Sequence, residues 1–208
     1  MPDRTYKWKR FWCERASSVA LSDAGYLCDP GTPWGRIVNP GVLPIESIVH
    51  TPCLVLLGEP GMGKTHALEA ERVTIDARAE QEGDQTLWLD LRSFGSEDRL
   101  VRSLFESREF AAWSNGGHRL HLFLDSLDEC LMRVTTVGSL LIDQLGRCPV
   151  ERLYLRIACR TADWHSSFEK GLRNLWGQDG IGVYELAPLS RKNIAEAAEA
   201  NGLSSTDF

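Results

Sequence analysis

Five short apolar runs recur along the chain, at 53–57, 86–91, 120–125, 153–159 and 181–186. Runs this short and this apolar predict strands, and the run Leu120-His121-Leu122-Phe123-Leu124-Asp125 predicts a central strand covered on both faces. Between the runs, apolar residues come at helical spacing. A helix is expected from about 64 to 80, with one face rich in Glu and Arg. A second starts at Ser96, carries Leu100, Val101, Leu104, Phe105, Ala111 and Ala112 as its stripe, and stops at Asn115-Gly116-Gly117. Further helices are expected at about 135–146, 166–176 and 190–200. Strand and helix alternate throughout, which predicts a parallel sheet with helices on both faces and right-handed crossovers.

Two stretches precede this alternation. Residues 6–20 place Trp8, Phe11, Trp12, Ala16 and Val19 at helical spacing among Lys7, Lys9, Arg10 and Arg15, which predicts an amphipathic helix. Residues 29–44 hold Pro30, Gly31, Pro33, Gly35, Pro40, Gly41 and Pro44, which predicts extended loop and no helix. Trp34, Gly35 and Arg36 in that loop can either cover a ligand or pack the loop itself.

The first strand runs into Gly58-Glu59-Pro60-Gly61-Met62-Gly63-Lys64-Thr65 and then into helix formers. The pattern G-x-x-x-x-G-K-[ST] between strand and helix is a phosphate-binding loop, or Walker A motif. Its Gly and Pro positions let the backbone wrap a phosphate chain with the N–H groups inward, and the helix adds its positive dipole end. Lys64 is expected to reach the β- and γ-phosphates, and the Thr65 hydroxyl to sit on Mg²⁺. His66 follows, facing solvent or the base side, with no catalytic role.

A second cluster follows the third strand: Asp125-Ser126-Leu127-Asp128-Glu129. Asp125 at the strand end is placed to hold Mg²⁺ through water, and Asp128 or Glu129 to orient an attacking water. Arg160 ends the fourth strand as a fixed positive charge for the γ-phosphate, or as one half of an ion pair. Asp90 ends the second strand and can hold a water beside the metal or cap the next turn. All of these fall at the carboxyl ends of strands, where ligands bind in open α/β sheets.

Composition narrows the partners. The chain has 208 residues, 43% apolar and 25% charged, ordinary for a soluble globular domain. A net charge of −6 gives no general basic face for nucleic acid. No apolar run approaches the length of a membrane span, and the N-terminus lacks the apolar core of a secretory signal. Six cysteines, at 13, 28, 53, 130, 148 and 159, form no C-x-x-C pair, so free thiols in a reducing, cytoplasmic setting are expected.

Together, residues 50–200 resemble the nucleotide-binding domain of NACHT-type STAND NTPases, the group that includes NOD-like receptors and bacterial antiviral sensors. Gly58 to Thr65 is similar to their Walker A. Asp125-Ser126-Leu127-Asp128-Glu129 resembles their D-G-x-D-E form of Walker B, with Ser126 where Gly is usual. Cys159-Arg160 resembles their sensor arginine, and Leu186-Ala187-Pro188-Leu189-Ser190 their junction into a small helical domain. The resemblance implies a three-layer α/β P-loop NTPase fold of the ASCE type, with a central parallel five-stranded sheet. It divides the chain into an N-terminal helix and Pro/Gly-rich extension over 1–49, a core over 50–188, and the start of a helical domain over 189–208. It implies slow ATP hydrolysis with ATP/ADP and Mg²⁺ bound, and a switch whose nucleotide state controls self-association and an effector in a longer protein. Two other readings stay open: an oligomeric AAA-type ATPase, and a nucleotide-binding scaffold with negligible hydrolysis.

Overall fold

Each of the five apolar runs is a strand in the computed structural model, which describes residues 9–22, 25–200 and 202. The chain divides into two compact units, residues 49–184 and a smaller unit of 1–48 with 185–208. In the larger unit, β3 (Cys53–Leu57) pairs in parallel with β6 (Leu153–Cys159). β6 pairs in parallel with β5 (Leu120–Asp125), and β5 with β4 (Gln85–Asp90). β7 (Ile181–Leu186) lies on the other side of β3. Register brings Asp90 level with Asp125 at the carboxyl ends of β4 and β5.

Helices cover both faces, giving three layers. Alternate residues Cys53, Val55, Leu57, Leu155 and Ile157 pack with Leu100 and Leu104 of α3 (Glu97–Leu104) and Trp113 of α4 (Arg108–Asn115). The same cluster takes in Leu141 of α5 (Val134–Leu145) and Leu172 of α6 (Ser166–Trp176). The opposite face of the sheet meets α2 (Lys64–Glu82), which contacts β4, β5 and β6. α5 and α6 approach closely through glycine: a Cβ on Gly138 would stand 2.8 Å from Phe168 Cγ.

Three local expectations are corrected. Residues 11–14 are a strand, β1 (Phe11–Glu14), and not part of a helix over 6–20, of which residues 6–8 lie outside the described residues. Phe11, Trp12 and Cys13 are all buried, so aromatic spacing that also fits a helix here serves a short strand. It pairs antiparallel with β2 (Val42–Pro44), and Ala187 N–H donates to Phe11 O at 2.9 Å. The Pro/Gly-rich stretch contains a helix, α1 (Pro33–Val38): Thr32 Oγ1 caps Gly35 N–H at 3.0 Å, and Pro33 occupies the first turn, where its missing N–H costs nothing. The single helix expected from Ser96 to the stop at Asn115-Gly116-Gly117 is two. Phe105–Ser107 interrupt it, because the Ser107 hydroxyl accepts from Phe110 N–H at 3.1 Å and starts α4 afresh.

Candidate functional site

The loop between β3 and α2 turns through two left-handed glycines, Gly61 at φ 73° and Gly63 at φ 98°. A Cβ at either would meet nothing within 4 Å, so what these positions require is backbone conformation, and the space above them is open. Gly63 caps α2 directly, with Ala67 N–H donating to Gly63 O at 3.1 Å. The N–H groups of Lys64 and Thr65, at the start of α2, therefore lack helical acceptors, the condition that suits an anion there.

Lys64 folds back over this loop. Its ammonium donates to Gly58 O at 2.6 Å and Glu59 O at 3.1 Å. The Thr65 hydroxyl lies 3.2 and 3.0 Å from the two carboxylate oxygens of Asp125. Asp125 is 2% exposed, and burial pushes its carboxyl above the ordinary range, partly offset by the hydrogen bond from Thr65. Beside these groups is a cavity of about 220 Å³, lined by Pro60, Gly61, Gly63, Lys64, Thr65, His66, Asp125, Ser126, Asp128 and Glu129. Residues from two separate motifs thus share one space. Glu59 and Pro60 are exposed, Met62 is half-buried, and His66 is exposed with Nδ1 3.2 Å from Glu69 Oε2.

Ser126 opens a one-turn helix over 127–129 from a left-handed backbone, φ 57° and ψ 45°. A glycine would hold that conformation without strain. After the turn the two remaining acids part. Asp128 lies with its side chain 4% exposed, 3.0 Å from Arg160 Nε by Oδ2, and accepts Arg160 N–H through Oδ1 at 2.9 Å. Glu129 is exposed at the cavity. Cys159, just before Arg160, is fully buried with its thiol pushed up to about 12 by burial, so it carries no nucleophile.

Asp90 caps its own turn, accepting Arg92 N–H at 3.1 Å, and grips the Arg92 guanidinium through both oxygens at 2.6–3.0 Å. That bond holds the Asp90 carboxyl below its usual range. Arg92 was not among the residues the sequence pointed to. It is a third cation near the site, and Glu129 and Asp125 add to the negative field around it. A basic residue two positions after an acid that ends a strand is a signal for such a fork, but a weak one.

Among the described residues no group of three or more His, Cys, Asp or Glu is placed to hold a metal ion. A magnesium site here would draw only Thr65 and Asp125 from the chain and complete itself with water and phosphate oxygens, the habit of that cation. The hydroxyl and buried carboxylate, already in contact, fit such a site.

The chain matches no described protein family, and no curated protein. In fold it is similar to the Thermotoga maritima RuvB Holliday junction branch migration motor, at 16% identity and a TM-score of 0.39, over 73% of this chain and 44% of that one. Two variants of that RuvB are similar at 18% and 19% identity, with TM-scores of 0.38 and 0.37. They are covered over 73% and 72% of this chain and 44% of theirs, so the chain spans less than half the length of these structures. No helix among the described residues is long and apolar enough to cross a membrane.

Proposed function

We propose that the chain is an ATP-binding and ATP-hydrolysing module of a STAND-type switch. The observation that carries this is the contact of the Thr65 hydroxyl with both oxygens of buried Asp125, at the start of a helix entered through two left-handed glycines. The loop N–H groups and the α2 terminus bind the phosphates. Lys64 exchanges the carbonyls of Gly58 and Glu59 for the β- and γ-phosphate oxygens. Thr65 and Asp125 would hold Mg²⁺, which would supply positive charge to offset the phosphates. Asp128 or Glu129 orients a water and takes its proton as the water oxygen attacks the γ-phosphorus. The bond to the bridging oxygen breaks, leaving ADP and phosphate, and Lys64 and Arg160 offset the charge that develops. Turnover is slow, as a switch needs occupancy more than flux.

Resemblance of 58–65, 125–129 and 159–160 to NACHT-type sequences supports the finer reading. Nucleotide state would govern self-association of a longer, cytoplasmic protein and an effector in antiviral or immune-type defence. The test is the nucleotide that travels with the purified protein, released by denaturation and identified, beside Lys64→Ala. ADP or ATP from the parent and none from the variant is the expected result. If both are empty and neither binds ATP with Mg²⁺ at millimolar concentration, the proposal is wrong.

A further inference from the structure

We infer that Asp128 positions Arg160 and does not activate water, which leaves Glu129 as the acid available to the attacking water. This rests on the NTPase reading above and divides the labour within that site. Asp128 and Glu129 are adjacent in sequence but differ in their surroundings. Both oxygens of Asp128 are engaged by one residue: Oδ1 accepts the Arg160 backbone N–H at 2.9 Å, and Oδ2 stands 3.0 Å from Nε of its guanidinium. Its side chain is 4% exposed, against 41% for Arg160. Water has little access to Asp128, and to take a proton it must first release the arginine. The Glu129 side chain makes no hydrogen bond or ion pair among the described residues, and it is exposed at the cavity wall.

The placement follows from the strands. β5 and β6 are parallel neighbours, with Leu124 level with Ile157, so the turn after β5 and the residue after β6 emerge side by side. The left-handed Ser126 starts the turn that carries Asp128 across to Arg160. Asp128 holds the arginine by a hydrogen bond at its backbone and an ion pair at Nε, which makes no hydrogen bond, while no bond engages its terminal nitrogens among the described residues. A guanidinium fixed at its base and free at its tip suits a third phosphate. A nucleotide lacking that phosphate would leave the tip unused.

Two roles for Asp128 then predict different things. A water-activating acid must be a carboxylate and governs turnover. A holder of Arg160 governs the preference for ATP over ADP. The experiment measures the affinities of parent, Asp128→Asn, Arg160→Ala, the double variant and Glu129→Gln for ATP and ADP with Mg²⁺, and their turnover. Positioning predicts that Asp128→Asn and Arg160→Ala each lower the ATP-to-ADP affinity ratio about tenfold, the scale of one charge-assisted hydrogen bond, and that the double variant goes no lower. Glu129→Gln leaves the ratio intact and lowers turnover by about 100-fold or more. Should Asp128→Asn not fold, by circular dichroism, Asp128→Glu decides: it keeps a carboxylate but displaces the arginine, so the ratio still falls. The inference is overturned if a folded Asp128 variant keeps the parent's ratio while losing turnover as Glu129→Gln does, or if the double variant's losses add. A parent protein that binds neither nucleotide overturns the NTPase reading itself, and the inference with it.

Discussion

Replacing Arg156 with Met should destabilise the protein far more than replacing its partner Glu71 with Gln. The two form an ion pair between β6 and α2, Nε to Oε1 at 2.6 Å, with side chains 1% and 5% exposed. The pair is unequal. Arg156 also donates to the carbonyl oxygens of Thr51, Pro52, Leu155 and Val49, so it stays solvated by the backbone without Glu71. Among the described residues Glu71 hydrogen-bonds only to Arg156, and its Oε2 has no partner. Burial accordingly pushes the Glu71 carboxyl up, against the opposing pull of Arg156. Gln keeps an acceptor for Nε and removes a charge whose desolvation outweighs its pairing, so Glu71→Gln should cost under about 1 kcal/mol. Arg156→Met strands the carboxylate and removes a donor from four carbonyls, of which Pro52 O keeps the Leu155 N–H, at about 3–5 kcal/mol, or roughly 10 °C in Tm for a chain of this size.

The pH dependence gives a second reading of the same pair. A carboxyl whose folded pKa is raised favours the folded state most below its unfolded pKa, and that contribution is lost as pH rises through the folded value. Removing Arg156 enlarges the shift. The deficit of Arg156→Met should therefore be smallest near pH 4.5 and grow toward pH 7. Urea unfolding followed by tryptophan fluorescence at both pH values measures it. Equal losses for the two variants at pH 7, or a deficit independent of pH, would refute the reasoning.

Two further outcomes are expected. His121, buried beside Arg156 and 3.6 Å from Asp84, has its pKa lowered to about 4, first by burial and then by the Arg156 charge. The unfolded chain takes this proton as pH falls below about 6.5 while the folded chain does not until about 4, so stability should drop by about 2 kcal/mol over that window, after allowing for screening. His121→Gln should flatten the drop in thermal melts taken across it. Ser126→Gly should raise stability by up to about 1 kcal/mol by relieving the left-handed backbone, and Ser126→Val should lower it by about 2 kcal/mol. Equal melting temperatures for these two variants would show that the turn is not strained.

The larger unit was legible because its strands are nearly all apolar and its helices begin at Ser96 and at the glycine loop, signals that local chemistry alone can carry. The candidate site was legible for a related reason: Lys64 and Thr65 follow the glycine loop after β3, Asp125 ends β5, and parallel pairing brings the carboxyl ends of strands to one edge. The contacts that distinguish Asp128 from Glu129 were not legible. They depend on which of two adjacent acids faces Arg160, a fact of register between β5 and β6. The smaller unit misled. Phe11 and Trp12 pack by pairing with residues far along the chain, and no local period reports such a partner. The α1 helix was hidden because Pro33 reads as a breaker until its position in the first turn is known.

The smaller unit draws its hydrogen bonds from both ends of the sequence. Phe11 O accepts from Ala187 N–H, and Leu27 N–H donates to Leu189 O at 3.1 Å. In synthesis from the amino end, Phe11 and Leu27 thus wait for Ala187 and Leu189 before these bonds can form, while β3 to β6 are made in between. Phe11 and Leu27 precede β3 to β7 in the chain and would gain these bonds after them. Ending the chain before Ala187 would leave Phe11 O and Leu27 N–H without these partners, and β1 with its pairing to β2.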